Sequence, residues 1–141
     1  MLIRIIPDRV AAKAGEQIPA TVRLENTTGH VVEFAAHACS GNILPGIASD
    51  RIPLTAVWAA VACAPWSLPV SGIVYRVELS TSYQECGTPL GSNVNPSTMP
   101  PCGPGGPMPA LPPGTYRTDA VWVGIAASVA VVDPVAITLT R

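Results

Sequence analysis

Four cysteines, Cys39, Cys63, Cys86 and Cys102, and two histidines, His30 and His37, are the side chains here best suited to covalent, redox or metal chemistry. Redox exchange uses the C-x-x-C spacing, and zinc ribbons use paired cysteines. Neither pattern occurs. An even number of cysteines in a loop-rich chain instead reads as disulfides, formed in an oxidising compartment. Three connectivities are possible. Cys39–Cys63 and Cys86–Cys102 are the favoured pairs, each stabilising by roughly 3 kcal/mol, mainly by restricting the unfolded chain. A Cys–His nucleophile would need a free thiolate, which a bridged Cys39 beside His37 does not supply. His30 follows "NTTG" and reads as an exposed turn residue. Alternation along a strand would set Glu33 and His37 on one face and His30 on the other, so no metal site is expected. No G-x-S-x-G, P-loop or G-x-G-x-x-G motif occurs. "GPGGP" at 103–107 lacks the backbone donors that phosphate binding needs. The acidic residues are scattered singly. The expectation is no catalytic residue, no cofactor and no enzymatic activity.

The elements that carry these residues read as strands. "EQIPATVRLENTTG" alternates, with Ile18, Ala20, Val22 and Leu24 on one face. "NTT" at 26–28 is a formal glycosylation sequon, but reads first as a turn in which Asn26 supplies side-chain hydrogen bonds. "HVVEFAAHAC" follows, so 17–39 is expected to form a hairpin. "LIRIIP" begins the chain as a strand. "SGIVYRVELSTSY" sets Ile73, Tyr75, Val77, Leu79, Thr81 and Tyr83 on one side. "GTYRTDAVWVG" sets Tyr116, Thr118, Ala120 and Trp122 on one side, and "VAITLTR" closes the chain. "IPLTAVWAAVA" at 52–62 is ambiguous between strand, irregular structure and a short helix. About seven strands separated by turn signals, with no amphipathic helix, predict an all-β immunoglobulin-like antiparallel β-sandwich. "PPGTY" has the form of a tyrosine corner, with the Tyr116 hydroxyl bonding back to nearby backbone.

Between two of those strands, 87–114 holds nine prolines and six glycines, and no charged side chain occurs between Glu85 and Arg117. Such composition alone predicts a linker. Strands on both sides and a Cys86–Cys102 staple make it a loop of one domain. The reading is therefore a single domain over 1–141, with loop 84–114 belonging to it. Trp66, Met99, Pro104, Met108 and Leu111 form the candidate binding surface. Trp58, Trp66 and Trp122 read first as core anchors, with Trp66 over the Cys39–Cys63 bridge. An exposed aromatic patch for carbohydrate or protein is the alternative.

Composition limits the partners. Of 141 residues, 48% are hydrophobic, enough for one core, and only 12% are charged, against roughly 25% in soluble domains. The net charge is −1 and Lys13 is the single lysine, so the basic patch that nucleic acid or an anionic membrane surface requires is missing. No run of 18 apolar residues suggests a transmembrane helix. "MLIRIIPDRV" lacks the layout of a signal peptide, which leaves a cytosolic chain or one whose signal or anchor is absent from this sequence; the cysteines favour the second, and the expectation is an extracytoplasmic protein with room for an adjoining domain or anchor.

"RLENTTGHVVEF", "CAPWSLPVSGIVYRVELSTSYQEC" and "PPCGPGGPMPALPPGTYRTDAVW", in that order, resemble the small exported immunoglobulin-like domains of actinobacteria, including mycobacteria. The shared steps are Cys39, the C-x-P of Cys63–Pro65, the T-x-Y-x-x-C of Thr81–Cys86, and the proline-rich approach from Ala110 to Tyr116. The "L-x-N" strand end and late "P-G-x-Y" are also similar to the BsuPI-type proteinase-inhibitor domain, which lacks this cysteine framework. The first resemblance implies a secreted or cell-envelope module that works by binding a protein or envelope component. The second implies a protease inhibitor presenting the rigid 87–113 loop.

Overall fold

The computed structural model describes residues 1–34, 42–54, 66–87, 100–123 and 130–141. Among these the chain is all-β and contains no helix. Alternating apolar residues produce its longest strands. β1 (Leu2–Pro7) buries Ile3 and Ile5, and β2 (Ala11–Lys13) buries Ala12. β3 (Ile18–Glu25) buries all four residues of its inward face. β4 (Val32–Phe34), β5 (Asn42–Ala48) and β6 (Trp66–Leu68) follow. β7 (Ile73–Leu79), β8 (Gly114–Val123), β9 (Val131–Asp133) and β10 (Ala136–Thr140) complete the order.

Two four-stranded sheets form, ordered β7-β3-β1-β9 and β2-β10-β8-β5, with β4-β6 as a separate ribbon. Inward residues of both sheets meet in one core, from Ile3, Ile5, Val22 and Leu24 to Ile47, Tyr116, Ile137 and Leu139. Burying one such aliphatic side chain stabilises by about 1.5–3 kcal/mol. The chain's first 13 residues serve both sheets. β1 pairs with β3; the backbone then crosses over, with Asp8 N–H on Pro19 O at 2.8 Å, and β2 runs parallel to β10.

Several expectations change. The hairpin expected over 17–39 does not form: β3 lies between β1 and β7, and β4 pairs with β6. Good local alternation had made chain neighbours look like sheet neighbours. Among the described residues there are ten strands where about seven were expected; β2, β6 and β9 are three residues long and carry little periodicity. The sheets are mixed rather than antiparallel, since β1–β9 and β2–β10 are parallel pairs. β5 has Pro45 and Gly46 in "NILPGIA", residues that normally interrupt a strand. Its edge position explains them: Pro45 opposes Ala120 at a position whose missing N–H faces away from β8.

Candidate functional site

The proline-rich excursion leaves the end of β7 and returns to β8, and the residues just past β7 hold it. Thr81, 1% exposed, donates its hydroxyl to Glu16 O at 2.6 Å and accepts from Gly15 N–H at 2.8 Å. Its carbonyl accepts from Leu111 N–H at 2.9 Å. Tyr83 N–H donates to Pro109 O at 2.9 Å, and Ser82 bridges Ala110. The returning segment 109–111 is thus bonded to 81–83 much as a short strand would be. Buried backbone groups need such partners, and Thr81 supplies them to two loops at once.

Beyond this seam the loop is closed covalently. Cys86 and Cys102 form a disulfide with Cα atoms 4.9 Å apart, and Gly87 N–H donates to Pro100 O at 2.8 Å. Residues 88–99 of the loop lie outside the described residues. The chain then turns at 103–107, with Gly103 N–H on Pro107 O at 3.1 Å and Gly106 N–H on Gly103 O at 2.9 Å. Pro104 and Pro107 are exposed, and Met108 is 48% exposed. This tip is apolar, uncharged and held on a bonded base.

The expected surface is therefore only partly assembled. Pro104 and Met108 belong to the tip. Leu111 does not: it is 1% exposed and joins the core, because its N–H bond to Thr81 turns the side chain inward. Trp66 opens β6 opposite Phe34 in the ribbon. Met99, Trp58, Cys39, Cys63 and His37 lie outside the described residues. Trp122 is partly buried against the core. Tyr116 makes the expected bond: its hydroxyl donates to Pro112 O at 2.7 Å. Burial, and secondarily the neighbouring Tyr83, push the Tyr116 phenol above its usual pKa, which favours the neutral donor.

A second feature lies where the loop enters β8. A cleft of about 590 Å3 opens between 48–52 and 112–117, with Ala136 on its floor. Arg117 Nη1 meets Asp50 Oδ1 at 3.0 Å along its wall. Sequence reading missed it because it depends on β5 ending at Ala48, opposite Arg117, short of the start of β8 at Gly114. The missed anchor Thr81 had a visible signal: a small polar residue at an inward position of an alternating run.

Among the described residues no group of three His, Cys, Asp or Glu side chains could hold a metal. His30 is exposed, and its carbonyl accepts from Asn26 Nδ2 at 2.7 Å. No helix among them is long and apolar enough to cross a membrane. Comparison with family models, curated proteins and solved structures finds no match.

Proposed function

We propose that this protein is a non-enzymatic binding module of a bacterial cell envelope, built as an immunoglobulin-like β-sandwich. The fold reading is supported by the first strand dividing between two sheets, its second part running parallel to the last strand, and by the Tyr116–Pro112 bond. The Cys86–Cys102 disulfide agrees with an oxidising compartment; the Cys39–Cys63 pair is proposed with it. The observation that carries the function is the exposed Pro104–Met108 tip on a bonded, disulfide-closed base. A pre-organised apolar tip loses little conformational freedom on binding a protein or envelope component.

A photo-crosslinking residue at position 108, compared with one at the exposed Val74 of the other sheet, tests this on envelope preparations. An adduct specific to position 108 is expected. Equal labelling from both positions, or none, overturns it. The same pre-organisation favours a second reading, a protease inhibitor that offers this loop to an enzyme cleft. A panel of proteases assayed with the intact chain and with a chain lacking 104–107 separates the two. Inhibition that disappears with the deletion establishes the inhibitor; no inhibition by either chain removes it.

A further inference from the structure

Among the described residues, the cleft beside β8 lies where a strand continuing β5 would run. Thr118 N–H donates to Val135 O at 2.9 Å, so Thr118 directs its main chain toward β10. Alternation along the ladder then directs the main chains of Arg117 and Thr115 toward β5. Arg117 has Ala48 opposite, but β5 ends there. The chain turns away at Ser49–Ile52, held by Ser49 N–H on Ile52 O at 2.9 Å and Ile52 N–H on Ser49 Oγ at 3.1 Å. Among the described residues nothing takes the place opposite Thr115, and the space there is the cleft.

Its charges are uneven. Arg117 is paired with Asp50, while Arg51, exposed at the rim, has no carboxylate partner among the described residues. The local excess is one positive charge in a chain whose net charge is −1. Pro112 and Pro113 give the opposite wall an apolar surface without backbone donors.

We propose that this cleft binds an extended segment of another protein carrying an Asp or Glu. The segment's main chain continues the line of β5 beside Thr115, and its carboxylate pairs with Arg51. Strand addition of this kind takes affinity from main-chain bonds and selectivity from side-chain pockets, and guanidinium groups suit carboxylates. The site is separate from the Pro104–Met108 tip, so it stands whether or not the tip binds a partner.

The test selects peptides from a random decapeptide library displayed on phage, with the full chain as bait. Enrichment of Asp- or Glu-containing peptides is expected. The selected peptide should shift the Thr115 amide resonance and lose at least fivefold in affinity against Arg51→Ala. A Glu-to-Gln version of the peptide should lose a similar factor, whereas Met108→Ala should leave binding unchanged. The proposal is overturned by no enrichment over a blank surface, by binders indifferent to Arg51, or by shifts confined to 103–108. Shifts at Thr115 that grow with protein concentration without peptide would also overturn it and assign the cleft to a second copy of the chain.

Discussion

At the residue scale, Asn26 shows how a motif can be absorbed by structure. Its Nδ2 lies within hydrogen-bond distance of His30 O, Leu68 O and Pro69 O, and its Oδ1 accepts from the Thr28 N–H and hydroxyl. The side chain therefore ties the turn after β3 to the segment after β6. Asn26→Ala should cost about 1–3 kcal/mol, read from urea unfolding. Asn26→Asp should cost at least as much, since a carboxylate would face carbonyl oxygens. Tyr116→Phe, losing one bond, should cost about 0.5–1.5 kcal/mol in the same assay. Burial pushes the Tyr75 phenol up from 10.0 to about 12. Its contribution is fully present below pH 10 and is lost as the pH rises through about 12, because the unfolded phenol ionises first. Stability should fall across that window, and Tyr75→Phe should flatten the fall. The turn role of Asn26 and the backward bond of Tyr116 were legible from "NTTG" and "PPGTY". The carbonyls of Leu68 and Pro69 were not, because a distant segment supplies them.

At the element scale, the pairing of β1 with β3 sets Arg4 directly opposite Arg23. Arg4 is held by Glu25 at 3.0 Å and by Asp133 of β9 at 3.7 Å. Arg23 has no ion pair among the described residues. Like charges directly opposite on a sheet are destabilising, so Arg23→Thr should stabilise by about 0.2–1 kcal/mol, with a smaller gain at high salt. Chemical denaturation at two ionic strengths checks both. Among the described glycines, Gly72, which leads into β7, has the least room for a side chain. Its φ is 78°, and a Cβ there would collide with Leu24 O. Gly72→Ala should cost about 1–3 kcal/mol for the backbone conformation alone, and more for the clash. Inward faces of β3, β7 and β8 could be read residue by residue, because alternation is local. Their partners could not: β4 joins β6 because register and topology are settled by the shared core.

At the scale of the whole molecule, the loop is secured twice, by Cys86–Cys102 and by the bonds of 109–111 to 81–83. Replacing both of these cysteines with alanine should lower stability by roughly 3 kcal/mol. It should nevertheless leave the Leu111 and Tyr83 amides protected in hydrogen exchange, since their acceptors lie outside the disulfide-closed ring. Loss of that protection would show that the disulfide, rather than Thr81, positions the seam. Acid adds a separate effect. Arg76 of β7 bonds Asp8, just past β1, across the intervening β3 and holds its carboxyl below the usual range. That contribution is present above pH 3.8 and is lost as the pH falls through the folded value. The sequence by itself determined the all-β class, the inward faces of the long strands, the backward bond of the Tyr116 hydroxyl and the pairing of Cys86 with Cys102. Each rests on residues close together in the chain. Tertiary structure alone decided which strands are neighbours, that Leu111 enters the core while Met108 stays out, and that β5 ends short of Thr115. Those outcomes depend on how two sheets share one interior, and local periodicity carries no information about that.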